Sequence, residues 1–293
     1  MEELSSAFQD TIKKVVALSK SATVVDEHNV YQEGQEETLP YIDHIIDSLI
    51  LPGSGIMGME HLSALLDKAR EGKSCLLLLE HYSNLDLPLF SYLLRRDSER
   101  GKEVAAALVA IAGVKLNESS PTVAAFTGAY TRLVIYPSRS LQGMDSEKDR
   151  DELVRMNAIN HAAMKALIDI KKQGKLVLVF PSGTRYRPWD PGTKRGVREI
   201  DSYIKSFDFM CLVAINGELL HVRRGDVGSG EDMMDDYVSK GQVRFTAGPV
   251  LSCGEFRNAA RTEEVEDKKQ AAVDAVMNQL ELMHQKAQLL MQA

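Results

Sequence analysis

From about Met59 onward, short apolar runs alternate with stretches in which apolar residues recur every three or four positions. The runs near 74–80, 104–111, 132–136, 175–180, 209–215 and 242–247 have the length and composition of strands. The segments 58–73, 85–95, 122–126 and 147–172 between them carry helical periodicity. Such alternation predicts an α/β domain with a mixed, mainly parallel sheet flanked by helices. Before it, Phe8, Ile12, Val15, Val16 and Leu18 mark one amphipathic helix, and Ile42, Ile45, Ile46, Leu49 and Ile50 mark a second, stopped by Pro52 and Gly53. The expected organisation is therefore a small helical region over 1–58 and an α/β domain over 59–293. Residues 217–241 are rich in glycine and acid and read as a long exposed loop. At the C-terminal end, Val273, Val276, Met277, Leu280 and Met283 form a stripe. It is expected to dock on the domain, with peripheral membrane contact as the alternative use.

Composition narrows the function classes. The 293 residues are 44% hydrophobic, enough to bury a large core. The formal net charge of -7 argues against a nucleic-acid partner, so any anionic ligand has to meet a local basic patch. Cys75, Cys211 and Cys253 lie far apart and fit no zinc pattern; reduced, packed thiols and a soluble chain without a membrane span or signal segment are expected. No metal site or cofactor is expected. The stretch "GSGIMG" (53–58) matches the dinucleotide glycine pattern, but a segment of helical period precedes it where that fingerprint needs a strand.

The chemistry concentrates at strand ends. In "LLLLEHYSNLDLPLF" (76–90), His81 follows a buried-strand pattern and Asp86 opens the next helical pattern. Spacing alone decides nothing, because His221 and Asp226 stand equally far apart. Setting separates the pairs: residues at the carboxyl ends of parallel strands line the ligand crevice of open α/β sheets. In "VLVFPSGTRYRPWDPGTKRG" (177–196) another run ends in a turn of Ser182, Gly183 and Thr184, followed by Arg185 and Arg187, with Lys194, Arg195 and Arg198 beyond. This basic island in an acidic chain suits a phosphate, since guanidinium groups make paired, charge-assisted hydrogen bonds. A third run, "TRLVIYPSRS", ends near Arg139.

Taken in order, "EHYSNLD", "RLVIYPSR" and "VFPSGTRYRP" resemble the glycerolipid acyltransferases of the H-x-x-x-x-D type, most closely the soluble plastid-type glycerol-3-phosphate 1-O-acyltransferases. The chain departs from that branch in the "GTR" at 183–185, which is closer to the membrane-bound enzymes, and in a shorter N-terminal helical region. The resemblance implies transfer of an acyl group from acyl carrier protein or acyl-CoA to the sn-1 hydroxyl of glycerol 3-phosphate, in the cytoplasm or plastid stroma. On this reading His81 is the general base, Asp86 orients it, and Arg139, Arg185 and Arg187 bind the phosphate. Ser182, Gly183 and Thr184 form the supporting turn, and backbone amides after His81 are candidates for oxyanion stabilisation. A face with Lys171, Lys172, Lys175 and the 194–198 group is a candidate dock for an acidic carrier. The alternatives are a lysophospholipid acceptor such as 1-acylglycerol 3-phosphate, or a non-catalytic module binding acyl carrier or anionic lipid.

Overall fold

The computed structural model describes residues 2–118, 120–137, 145, 148–224, 235–263 and 266–292. Its strands are β1 Glu2–Glu3, β2 Tyr31–Gln32, β3 Gly55–Met57, β4 Cys75–Leu79, β5 Leu108–Gly113, β6 Arg132–Ile135, β7 Leu176–Val179, β8 Phe209–Asn216, β9 Leu220–His221, β10 Tyr237–Val238, β11 Arg244–Ala247 and β12 Leu251–Ser252. The helices are α1 Leu4–Ala7, α2 Gln9–Leu18, α3 Leu39–Leu49, α4 Met59–Arg70, α5 Asp86–Asp97, α6 Glu99–Ala107, α7 Lys115–Glu118, α8 Pro121–Thr127, α9 Arg150–Ile170, α10 Ile200–Ser206, α11 Cys253–Ala260 and α12 Lys268–Gln292. The protein is of the α/β class, and its strand pairings are mixed and mostly parallel, as the alternating pattern predicts. The chain divides into two compact units, one of Met1–Ala7, Ile45–Leu108 and Lys171–Ala293, the other of Phe8–His44 and Val109–Ile170.

In the first unit β4 lies between β7 and β8 and is parallel to both. All five of its residues are fully buried. A strand hydrogen-bonded on both edges and covered on both faces needs apolar side chains at every position, which is why "CLLLL" is unbroken. β8 continues antiparallel to β11, and β11 pairs in parallel with β3. The strand β3 lies inside the "GSGIMG" stretch, and of its glycines only Gly58, the N-cap of α4, stands between a strand and a helix, so the stretch is not the loop that the dinucleotide fingerprint requires. Helix α4 packs on β4 and β8, and α12 packs on β8 and β11. Val273, Val276 and Leu280 of α12 are fully buried, so the C-terminal stripe docks on this unit. No helix among the described residues is long and apolar enough to cross a membrane.

The expectation for 217–241 needs correction. β9 and β10 join β1 in a three-stranded antiparallel sheet, and Leu219, Leu220, Val238 and Asp236 are buried. Strands of two residues carry no period, and their partner β1 lies at the other end of the sequence. Residues 225–234 lie outside the described residues.

In the second unit β5 and β6 are parallel and β2 adds antiparallel to β6. Met156, Ile159, Ala163, Leu167 and Ile170 of α9 are buried. The strand expected over 104–111 starts later, because Ser98 caps α6 by accepting from the Gly101 amide and the alanine-rich segment continues as helix to Ala107. At the start of β6 the Arg132 guanidinium is 2% exposed and donates from Nε and Nη2 to Gln32 Oε1 at 3.0 and 2.6 Å. Burial lowers its pKa to about 10.

Candidate active site

β4 delivers Glu80 and His81 at its carboxyl end, and a short turn leads into α5, whose first residue is Asp86. The Asp86 amide donates to Ser83 O at 3.3 Å and the Leu85 amide donates to Ser83 Oγ at 3.1 Å, which closes the turn. The reversal brings Asp86 Oδ2 to 2.8 Å from His81 Nδ1. The same oxygen accepts from the Tyr82 amide at 2.6 Å and the Ser83 amide at 2.9 Å, while Oδ1 accepts from Ser83 Oγ at 3.0 Å. Four donors therefore converge on a carboxylate whose side chain is 3% exposed. Its position in the first turn of α5 adds the favourable end of the helix dipole. Two of the amides that follow His81 are committed to Asp86, so they are not the oxyanion donors expected of this turn.

The His81 ring is held on its other side by Phe180, which follows β7; the ring centroids are 4.0 Å apart and the planes 19° from parallel. Because Nδ1 faces a carboxylate, the tautomer that donates from Nδ1 leaves Nε2 with its lone pair. The side chain is 15% exposed, so the ring is both fixed and reachable.

The segment after β7 lies against this ring. Tyr186 N donates to His81 O at 2.8 Å, and Val197 N donates to Pro181 O at 2.8 Å. Ser182 Oγ donates to Thr184 O at 2.6 Å, and Gly183 adopts φ +63°, a left-handed turn that glycine enters without strain. The turn of Ser182, Gly183 and Thr184 thus reverses the chain and places Arg185 and Arg187 at the same strand end as His81. Arg187 Nη1 donates to Thr184 Oγ1 at 3.4 Å. Arg185 is 8% exposed and pairs through Nη1 with Asp236, whose other oxygen accepts from the Arg223 amide at 3.0 Å. Arg185 is thus tied to the segment that the sequence presents as a loop, and neither Arg185 nor Arg187 is among the residues that line the cleft beside His81. Arg139 lies outside the described residues.

A small cleft opens beside His81, lined by Glu80, His81, Tyr82, Ser182, Tyr186 and Lys194 together with Pro181, Thr193 and Met277. Helix α12 forms part of its wall. Lys194 pairs with Glu281 and stands 5.6 Å from the centroid of the Tyr186 ring. The Lys194 bond holds the Glu281 carboxyl below the usual range. Gly196 permits the close approach: a Cβ there would lie 2.4 Å from Val273 Cγ1 and 2.9 Å from Met277 Cγ. Gly196→Ala is accordingly expected to destabilise the chain by about 1–3 kcal/mol through overpacking, read as a lower denaturation midpoint at unchanged m-value. Glu80, Tyr82, Glu281 and His284 were not singled out by sequence. Glu80 carries a signal in hindsight, a carboxylate closing an otherwise apolar run; His284 carries one too, a titratable group four residues after Leu280 on the apolar stripe of α12.

Other expectations fall elsewhere in the fold. Lys171 bonds Ser206 and lies 4.1 Å from the centroid of the Phe207 ring, and Lys175 donates to Ala106 O. Both precede β7, whose first residue Leu176 pairs with Cys75 at the start of β4, about 20 Å along the chain from His81. That part of the candidate carrier face lies at the end of the strands away from the dyad. His221 bonds Glu218 and Ser239, whereas Asp226 lies outside the described residues. All three cysteines are free and buried, and burial pushes each thiol up to about 12. Among the described residues no group of three or more His, Cys, Asp or Glu side chains could hold a metal ion.

The arrangement can accept a proton from a hydroxyl at His81 Nε2 and stabilise the resulting imidazolium through Asp86. No curated protein matches the chain. The acyltransferase family profile matches residues 64–227, more than half of the chain and the span that contains the dyad and the segment facing it. The chain belongs to the acyltransferase family, and its activity is the transfer of an acyl group from a donor to an acceptor.

Proposed function

We propose that the chain is a glycerol-3-phosphate 1-O-acyltransferase using an acyl thioester, on acyl carrier protein or coenzyme A, as donor. The observation that carries this reading is the His81–Asp86 contact of 2.8 Å beside a cleft that is also lined by residues 181, 182, 186, 193 and 194 of the segment after β7. His81 Nε2 takes the proton of the sn-1 hydroxyl as its oxygen attacks the thioester carbonyl. Asp86 holds the ring and balances the imidazolium. Collapse of the tetrahedral intermediate breaks the C–S bond, and the imidazolium returns the proton to the departing sulfur. The products are lysophosphatidate and a free thiol, with no covalent enzyme intermediate.

Arg187, with Arg185, holds the phosphate and thereby sets the hydroxyl against the base. Arg187→Ser is expected to raise KM for glycerol 3-phosphate about tenfold or more, the loss of a charge-assisted hydrogen bond, with donor KM little changed. An unchanged acceptor KM together with impaired donor use would remove the phosphate assignment. Arg185→Ser is less clean, because it leaves Asp236 buried without its cation at a cost of about 3–5 kcal/mol.

The reaction is tested by supplying one labelled acyl donor with either glycerol 3-phosphate or lysophosphatidate. Acceptor-dependent thiol release with glycerol 3-phosphate supports the proposal. Turnover confined to lysophosphatidate assigns the next acylation instead, and no acceptor-dependent thiol release with either leaves a binding module.

A further inference from the structure

Glu80 is 5% exposed and still lines the cleft. A carboxylate on the wall of a site for phosphorylated substrates repels them unless its charge is offset nearby. The offset comes from a residue distant in sequence: His284 Nδ1 lies 3.2 Å from Glu80 Oε2. We infer that His284 is the counter-ion of Glu80, a positioning residue that keeps the cleft receptive to anionic substrate while it is protonated. The inference rests on the proposed reaction in so far as that reaction uses a phosphorylated acceptor.

The surroundings support a charge-balancing role. Glu80 Oε2 also accepts from the Ile215 amide at 2.7 Å, and Oε1 accepts from the Tyr82 hydroxyl at 3.2 Å. The Tyr82 hydroxyl is itself 3.2 Å from His284 Nδ1, and burial raises its pKa, so it faces the pair as a neutral donor. Lys194, from the segment after β7, and Glu281, one turn earlier on α12, are the other charged groups near His284, and they pair with each other. β8 contributes only the uncharged Asn216, which donates to His284 O and Gln288 Oε1, both at 3.0 Å. Once Lys194 and Glu281 are set against each other, protonation of His284 changes the balance around Glu80 by one unit.

The hydrogen bond to Glu80 raises the His284 pKa above its ordinary value, against the opposing effect of burial. A raised folded-state value means that the imidazolium contact is fully present below the unfolded pKa. It is lost as pH rises through the folded value. KM for an anionic acceptor should rise over the same interval.

The test measures KM for glycerol 3-phosphate from about pH 6 to pH 9 in the parent chain, in His284→Gln and in His284→Lys. The ratio of variant to parent at each pH removes the titration of the substrate phosphate and of His81. We expect His284→Gln to have KM about three- to tenfold higher at the acidic end, the scale of one charge acting through partly solvated space, and to converge on the parent at the basic end. His284→Lys should keep KM low throughout. A Gln ratio independent of pH, or equal to one at the acidic end, would overturn the inference. A readout without turnover is the NMR titration of the His284 ring in the parent and in Glu80→Gln. Its midpoint should fall in the variant, and an unchanged midpoint also overturns the pairing. Absence of parental turnover on glycerol 3-phosphate would remove the proposed reaction, while the NMR comparison still decides on the pair.

Discussion

Replacing His81 by alanine is expected to lower kcat by about 10²–10⁴-fold, the contribution of a positioned general base, with the melting transition close to that of the parent. The fold should tolerate the change because Asp86 keeps three of its four donors: the Tyr82 amide, the Ser83 amide and the Ser83 hydroxyl. What is lost structurally is the stacking on Phe180, about 0.5–1.5 kcal/mol beyond its buried area. Steady-state thiol release under saturating donor and acceptor measures the effect. A variant within a few-fold of the parent would sink the assignment of His81 as base.

Asp86→Asn tests the other half of the dyad. The asparagine carbonyl oxygen can take the place of Oδ2 and still accept from the Tyr82 and Ser83 amides, so the turn has a route to its native geometry. The charge that balances the imidazolium is nevertheless gone, because the oxygen that then faces Nδ1 is a neutral carbonyl. A fall in kcat of about 10²–10⁴-fold is expected, with a stability loss of only about 1–3 kcal/mol from imperfect hydrogen bonding in a buried position. The two quantities should be measured on one preparation, kcat from the acceptor-dependent rate and stability from chemical denaturation. Unchanged kcat with reduced stability would make Asp86 a structural anchor of the turn and nothing more.

The parts of this site that could be read in advance are those written locally. β4 is visible because burial on both faces demands an uninterrupted apolar run, and His81 is visible because it stands where that run gives way to the polar turn. The dyad follows from six consecutive residues whose turn is closed by their own backbone and by Ser83. The turn of Ser182, Gly183 and Thr184 is legible for the same reason, a glycine at positive φ directly after an apolar strand. Elsewhere local pattern misled. The alanine-rich end of α6 resembled the start of β5, and β9 and β10 were too short to show any alternation.

The amino-acid sequence alone determined the α/β alternation, the strand that presents His81, the aspartate five residues on and the basic character of the segment after β7. Each depends on burial or turn chemistry within a few residues, and burial leaves a periodic trace. Only the tertiary structure decided that Asp236 holds Arg185, that Glu281 holds Lys194 and that His284 faces Glu80, across separations of 51, 87 and 204 residues. A polar pair between distant segments needs one suitable atom at each end and no repeat along the chain. Until the strands and α12 pack, nothing in the sequence pairs those side chains with one another.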